Sequence, residues 1–282
     1  MAPPTHISAM TKSERDYVLG TNDAEISRLS LQHQVWRPHV FPFWNRAGLT
    51  RGKTVIDAGA GPGFASLDLA EIVGPRGRII SVERSGRFLD TLKGEAALRG
   101  LEQIEAIESD LLEYKWPESS ADFIWCRWVL AFVADPARVV AGMAKALKPG
   151  GAILFHEYCD YRAWRFAPPL PEMERFRELV ISSWRGSGGE PDIALELPRL
   201  LPGAGLTLES AKALQFAITP KDFMWHWPES FIAVNLDRQV ELGNLTRTEA
   251  DTMQAAIEAR LKDPASLMLT PSVMLALARK PV

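Results

Sequence analysis

An acid and three alternating glycines follow a short apolar run near the start of the chain. Residues 55–63 read VIDAGAGPG, so Asp57 ends the run and the glycines occupy every second position after it. Glycine is needed where the backbone takes a positive φ or a ligand approaches closely, and the N–H groups of a following helix point at the same place. The stretch predicts a strand, a turn and a helix start that bind a ligand with a polar tail. The nicotinamide fingerprint GxGxxG fits poorly, because Phe64 stands where its third glycine belongs.

Two further acids stand where later strands are expected to end. Glu83 comes 24 residues after Gly59, and its carboxylate could accept hydrogen bonds from both hydroxyls of a ribose. Asp110 follows the next strand, where it could accept from the amino group of an adenine while Leu111 packs against the ring. Alternatively, each acid is an ordinary polar residue at a strand end or in a turn and binds no ligand.

Three side chains are candidates for a general base. His156 and Glu157 are expected at the end of the fifth strand, and His33 in an N-terminal helix. Imidazole titrates near neutrality without any perturbation, so His156 is preferred to Glu157. Side chains alternate between the faces of a strand, so at most one of these two faces a pocket. For all three residues the alternative is a structural side chain that is hydrogen-bonded in the core.

Strands and helices that alternate along the chain must position these residues. Apolar runs predict seven strands, over residues 53–58, 78–82, 104–108, 122–126, 152–155, 206–213 and 268–278. Helical periodicity between the first five strands predicts helices over residues 63–73, 86–99 and 136–147. This alternation is typical of an α/β fold with a doubly wound, mostly parallel seven-stranded sheet, in which ligands bind at the carboxyl ends of the strands.

The segments outside this alternation are predicted to cover the pocket, because helices between the last two strands cannot belong to the sheet. Pro38 and Pro42 are expected to break or restart the N-terminal helix. The predicted divisions are an N-terminal tail and helical cover over 1–47, an α/β core over 48–220 with a helical insertion at about 158–203, a helical cap over 221–265 and a final core strand over 266–282.

Composition narrows the classes of partner and the compartment. A net charge of -3 and a pI near 6.0 offer no basic surface to a nucleic acid. The two cysteines cannot form a disulfide framework and lack metal-ligand spacing. No stretch has the roughly 18 apolar residues of a membrane span, and residues 1–10 lack a signal-peptide pattern. We therefore expect a cytoplasmic protein that binds neither nucleic acid, membrane nor metal.

The order of these motifs resembles the class I, Rossmann-like S-adenosylmethionine (SAM) methyltransferases over roughly residues 50–160. The shared stretches are the acid-and-glycine turn, RGK at 51–53, SADF at 120–123 and LKPGG at 147–151. The resemblance implies that residues 48–220 form a SAM-binding core. The residues that it assigns to cofactor binding are Tyr17, Asp57, Gly59, Ala60, Gly61, Gly63, Glu83, Arg84, Asp110, Leu111 and Arg127.

Within this resemblance, the glycine turn and Asp57 line the methionine part of SAM, Glu83 the ribose, and Asp110 with Leu111 the adenine. Tyr17 and Arg127 are assigned to the carboxylate of the cofactor.

Departures from neighbouring methyltransferase families indicate the type of acceptor. The Asp/Asn-Pro-Pro-aromatic motif of nucleic-acid amino methyltransferases is replaced by CRWV at 126–129, and no paired-glutamate loop or magnesium-binding cluster is recognisable. A small molecule therefore remains as the expected acceptor. Nine tryptophans, most of them outside the sheet, favour an apolar or aromatic one, methylated on O, N or C by in-line displacement.

Two other functions stay open at this point. One is a nicotinamide-dependent oxidoreductase, and the other is a non-catalytic SAM-binding partner subunit. The sequence also leaves the oligomeric state open, with a homodimer among the choices.

Overall fold

A seven-stranded sheet forms the centre of the computed structural model, which describes residues 20–282. The strands in chain order are β1 (Thr54–Ala58), β2 (Arg78–Glu83), β3 (Ile104–Glu108), β4 (Ala121–Arg127), β5 (Leu147–Asp160), β6 (Arg165–Ala167), β7 (Thr207–Leu214), β8 (Ala217–Ile218), β9 (Leu267–Leu269) and β10 (Ser272–Arg279). Seven of them pair in the order β3-β2-β1-β4-β5-β10-β7. The first five strands are parallel, and β10 runs antiparallel between β5 and β7. The predicted doubly wound, mostly parallel sheet is thus confirmed.

Helices cover both faces of the sheet. They are α1 (Asp23–Arg46), α2 (Phe64–Val73), α3 (Gly86–Arg99), α4 (Pro136–Ala146), α5 (Pro171–Gly186), α6 (Leu197–Gly203), α7 (His226–Glu241) and α8 (Arg247–Lys262). Neighbouring strand residues point to opposite faces, so Val55 packs with α1 and α2 while Ile56 packs with α4 and α6. Within residues 20–282, no helix is both long and apolar enough to cross a lipid bilayer.

The N-terminal helix differs from its prediction, because α1 continues through Pro38 and Pro42 without a break. Each proline lacks the N–H that a helix interior needs, which costs about 3 kcal/mol. Burial of Trp36 and Trp44, both fully enclosed, opposes this cost. Asn22 caps the start of the helix, because its side chain accepts from the backbone N–H of Glu25 at 2.9 Å.

The fifth strand is longer than predicted at both ends. Pairing with β10 carries β5 as far as Asp160, which lies opposite Ser272. His156 and Glu157 therefore lie inside the strand, not at its end, and both are fully buried.

A second, smaller sheet lies outside the central one. It pairs β6, β9 and β8 in that order, and β9 takes residues that the sequence assigned to the start of the last strand. This sheet packs with α5, α7 and α8 around an aromatic cluster that includes Trp164, Phe166, Phe176 and Trp225. Most of the nine tryptophans therefore lie in this core cluster.

Candidate functional site

The three glycines of the turn after β1 are needed for different reasons. All three have positive φ, at 72° for Gly59, 55° for Gly61 and 82° for Gly63. A Cβ on Gly59 would lie 2.4 Å from Val129, and one on Gly63 would lie 2.3 Å from Leu92. At Gly61 no other described atom lies within 4 Å of where a Cβ would stand. Gly59 and Gly63 therefore close the turn against its neighbours, and Gly61 leaves open space on the ligand side.

A cavity of about 340 Å³ begins at this turn and follows the carboxyl ends of the strands. Its volume is typical of a small-molecule site. The residues predicted for cofactor binding that line it are Asp57, Gly59, Ala60, Gly61, Glu83, Arg84, Asp110, Leu111 and Arg127. Gly63 lies behind the wall as the N-cap of α2, and Tyr17 lies outside the described residues.

Asp57 is held in place by two serines. The hydroxyl of Ser66 donates to its Oδ2 at 2.6 Å, and Ser81 donates to Ser66 at 2.8 Å. Burial raises the pKa of Asp57 to about 6, while the hydrogen bond from Ser66 acts in the opposite direction. At neutral pH the carboxylate is mostly ionised, so this wall of the cavity favours cationic groups.

Glu83 joins the glycine turn to the start of α3. Its Oε2 accepts from the N–H of Gly61 at 3.0 Å, and its Oε1 accepts from the N–H of Ser85 at 2.9 Å. Burial raises the pKa of Glu83, and the two backbone donors oppose that rise. The carboxylate is thus fixed before a ligand binds and faces the cavity.

Asp110 and Leu111 continue the same wall beyond β3. Asp110 accepts from the N–H of Leu112 through Oδ1 at 2.8 Å, which is the geometry of a turn acid. Leu111 is buried and lines the cavity beside it. The turn alternative for Asp110 is therefore observed, and the residue also borders the cavity, so its contact with an adenine stays a prediction.

Arg127 ends β4 and enters the cavity between Asp57 and helix α1. Its Nη1 donates to Nδ1 of His33 at 3.2 Å, and its guanidinium lies 5.5 Å from the ring centre of Trp128. Burial lowers the pKa of Arg127 to about 10, with Asp57 and Asp68 opposing, so the group stays charged at neutral pH. Trp128 follows with φ of 50°, a conformation that bulky residues rarely adopt and that marks functional sites.

His156, the residue preferred as a base from the sequence, does not line the cavity, contrary to that expectation. Because β5 runs on past it, the ring is enclosed between Trp36 at 4.7 Å and Trp128 at 4.6 Å. Neither ring nitrogen has a hydrogen-bond partner among the described residues. Burial lowers the pKa of His156 well below its usual value. The ring is a neutral part of the core.

Glu157 and His33, the other two candidates for a base, do not line the cavity either. Glu157 accepts through Oε1 from the N–H groups of Val129 at 2.8 Å and Leu130 at 3.0 Å, so it anchors the loop after β4. Burial raises its pKa to about 7. His33 is buried between Asp68 and Arg127. Glu157 and His33 thus take the hydrogen-bonded structural alternative, whereas His156 is buried in the core without a hydrogen bond among the described residues.

The far end of the cavity was not predicted in detail. An aromatic wall there is formed by Trp128, Tyr158, Trp184 and Phe231. Polar residues of α1 face it, and Glu25 forms a bidentate pair with Arg28 at 2.7 and 2.6 Å. Gln32 accepts from Arg28 at 3.1 Å.

A sequence signal for this end did exist. Glu25, Arg28 and Gln32 are spaced by three and four residues, which places three polar side chains on one helical face.

Residues 49–181 match the family model described as a methyltransferase domain. The demethylmenaquinone methyltransferase of Geobacillus stearothermophilus is 28% identical over 177 residues, which are 59% of this chain and 72% of the relative. That of Oceanobacillus iheyensis is 29% identical over 133 residues, 47% of this chain and 55% of the relative.

Among solved structures, phosphoethanolamine N-methyltransferase 2 of Haemonchus contortus aligns with a TM-score of 0.61 over 97% of this chain and 61% of that chain. That protein was solved with phosphomonomethylethanolamine and S-adenosylhomocysteine (SAH). The sequence identity is 15%, so this likeness shows the fold alone.

Proposed function

Residues 49–181 form a SAM-dependent methyltransferase domain of the class I fold, and from that premise we propose that the chain methylates a small, mostly apolar aromatic molecule. SAM is the cofactor of this domain. The observation that carries the proposal is the single cavity whose two ends differ in character, with acids and an open glycine at one end and aromatic rings at the other.

The acid-and-glycine end fits the parts of SAM. Gly61 leaves room for close approach, and the fixed carboxylate of Glu83 is an acceptor suited to ribose hydroxyls. Asp110 and Leu111 border the place where an adenine would lie. Arg127 supplies a cationic fork suited to a carboxylate. Bound there, SAM would supply a methyl group on a sulfonium: an acceptor nucleophile would bond to the methyl carbon in line as the carbon–sulfur bond breaks, and SAH would leave with the electron pair of that bond.

The aromatic end is the proposed acceptor site. Trp128 and Tyr158 stack at 5.6 Å, and Trp184 lies 6.1 Å from Tyr158 and 6.2 Å from Phe231. Such rings bind a planar ring by stacking and by burial of apolar surface. Burial raises the pKa of the Tyr158 phenol, so the hydroxyl stays protonated and can donate a hydrogen bond to the acceptor. Its curated relatives are named for demethylmenaquinone, which agrees with an acceptor of this type.

The chain contributes to catalysis chiefly by placement. Holding the acceptor in line with the methyl group and excluding water are effective in displacement reactions with a good leaving group. Glu25 and Arg28, which pair with each other, and the aromatic wall form the boundary of the proposed acceptor end. We propose a cytoplasmic location as part of the same function, supported by two buried cysteines that carry no disulfide.

The test measures SAH release from SAM with a panel of acceptors. Hydroxylated naphthalenes and demethylmenaquinone should be methylated, and small aliphatic amines and phosphate esters should not. Trp184→Ala and Phe231→Ala should raise KM for the aromatic acceptor about tenfold or more, from the loss of stacking and burial, and leave SAH affinity within about threefold.

Phe223→Ala is the matched control, because Phe223 is 54% exposed and does not line this cavity. Its KM should equal that of the unchanged protein. Turnover confined to aliphatic acceptors, or an unchanged KM in both aromatic variants, would contradict the proposed acceptor class.

A further inference from the structure

Three polar side chains join α1, α2 and β4 beside the cofactor end of the cavity. Nε2 of His33 lies 2.8 Å from Oδ2 of Asp68, and Nδ1 of His33 lies 3.2 Å from Nη1 of Arg127. His33 and Asp68 are buried, and neither lines the cavity, whereas Arg127 does. These hydrogen bonds thus connect helix α1, part of the proposed cover, to a cationic group in the cavity wall.

The chemistry of the two contacts fixes the state of the imidazole. A guanidinium has only donors, so Nδ1 of His33 must accept from Arg127 and carry no proton. Nε2 then carries the proton and donates to Asp68. Arg37 donates to the same carboxylate through Nε at 2.9 Å and Nη2 at 3.2 Å, which holds Asp68 in place. In this arrangement His33 is neutral and in one tautomer.

Arg127 depends on His33 for its orientation. Among residues 20–282, the contact with His33 is the one hydrogen bond that its guanidinium makes. A long side chain with five N–H donors otherwise has several rotamers, and losing them on binding lowers affinity. A guanidinium fixed at one nitrogen presents its remaining donors in a set direction to a carboxylate.

We propose that His33 and Asp68 are positioning residues that orient Arg127 toward the carboxylate of SAM. This role rests on the SAM-binding end of the proposed function and is independent of the acceptor. It also joins α1 to the cofactor, because the helix that borders the acceptor end carries His33.

The arrangement makes cofactor affinity dependent on pH. The groups facing His33 are Asp68 from α2, Arg127 from β4 and Arg37 from α1, and the ring of Phe64 stacks on it at 6.1 Å. Burial and the two arginines lower the pKa of His33, and Asp68 opposes them. A protonated His33 cannot accept from Arg127 and repels it. Affinity for the amino-acid tail of the cofactor therefore falls as the medium becomes acidic enough to protonate His33.

The experiment compares two ligands by calorimetry. SAH carries the amino-acid tail, and 5′-methylthioadenosine has the same nucleoside without it. His33→Phe should weaken SAH binding about tenfold or more at pH 8 and leave 5′-methylthioadenosine within about twofold. His33→Gln should restore most of the SAH affinity, since its amide can accept from Arg127 and donate to Asp68.

The pH profile gives an independent readout. SAH affinity should fall more steeply on acidification from pH 8 in the unchanged protein than in His33→Gln, because the amide does not titrate. Asp57 titrates in the same range in both proteins, so the difference between the two profiles carries the result. Thermal unfolding confirms that each variant is folded.

Three outcomes would overturn the proposal. Equal losses for both ligands in His33→Phe would show that the residue only docks α1. Unchanged SAH affinity in that variant would remove His33 from the cofactor site. Identical pH profiles for His33→Gln and the unchanged protein would show that protonation of His33 does not affect SAH affinity. All three outcomes are measured as ligand binding. A failure to find an aromatic acceptor would therefore contradict the proposed function but leave the proposed role of His33 unaffected.

Discussion

Glu83 faces the cavity with the same carboxylate that holds the glycine turn. We expect Glu83→Ala to weaken SAH binding by about 1.5–3 kcal/mol, because a charged acceptor is lost for the ribose and two backbone N–H groups lose their partner. Glu83→Gln should cost less, since its amide oxygen still accepts from one of the two donors. Calorimetry with SAH measures both changes.

Glu108→Ala is the control for this comparison. Glu108 lies opposite Glu83 on the neighbouring strand β3, but it is exposed and does not line the cavity. Its loss should leave SAH affinity unchanged. If Glu83→Ala binds SAH as tightly as Glu108→Ala does, the ribose role of Glu83 is wrong.

Helices α1 and α7 border the cavity as elements of the proposed cover. Glu25, Arg28 and Gln32 of α1 and Phe231 of α7 line it, whereas no residue of α8 does. Covers belong to the less stable parts of a fold, and a ligand stabilises only the closed form. We expect SAH to slow amide exchange and proteolysis across residues 23–46 and 226–241. The measurement is peptide-resolved exchange with and without SAH.

Helix α6 provides the reference for that experiment, because it packs on the far face of the sheet and does not line the cavity. Its exchange should be the same in both samples. Equal protection of α6 and α1 would indicate a general stabilisation, and unchanged exchange in α1 and α7 would contradict the cover.

The limits of prediction are clearest in β5. Its first part reads as a buried apolar strand, but HEYCD at 156–160 mixes polar and aromatic residues and gives no strand period. Whether these residues continue the strand is decided by their tertiary contacts. Pairing with β10 extends the strand, Trp36 and Trp128 enclose His156, and backbone donors of the next loop hold Glu157. The base prediction was wrong because it depended on where that strand ends.

The end of the cavity at the glycine turn could be predicted because its backbone requirements are local. Turn glycines and strand-end acids are set by backbone geometry within a few residues. The aromatic end, which is the proposed acceptor site, takes residues from α1, β5, α5 and α7, which are brought together only by the whole fold. Tyr158 and Phe231 carry no local signal that they share a wall.

The stability of the whole molecule should depend on pH through two neighbours on β5 with opposite effects. Burial raises the pKa of Glu157 to about 7 from 4.5, so its contribution to the free energy of unfolding is full below pH 4.5 and is lost as the pH rises to about 7. The difference is about 3 kcal/mol. Burial lowers the pKa of His156 below 6.5, so stability is lost as the pH falls below 6.5.

Urea unfolding of single variants separates these effects. Glu157→Gln keeps an acceptor for Val129 and Leu130 but does not titrate, so its free energy of unfolding should fall on acidification below pH 6.5. The free energy of unfolding of His156→Phe should instead rise as the pH falls from 7 to 4.5. The other titrating groups are common to both proteins and cancel in the comparison. Parallel profiles for the two variants would contradict this account.

The enclosure of His156 also gives the protein an optical property. Trp36, Trp128 and Trp227 lie with ring centres 4.9 to 5.9 Å apart, close enough for their excited states to couple. The ring planes of Trp36 and Trp227 meet at 88°, so these indoles are held in a fixed asymmetric arrangement, which gives a near-ultraviolet circular dichroism signal. Trp128 also lines the cavity, so an aromatic guest would enter the same coupled system. The chain thus carries an intrinsic chromophore beside the proposed acceptor site, and its spectrum should report binding there without a label.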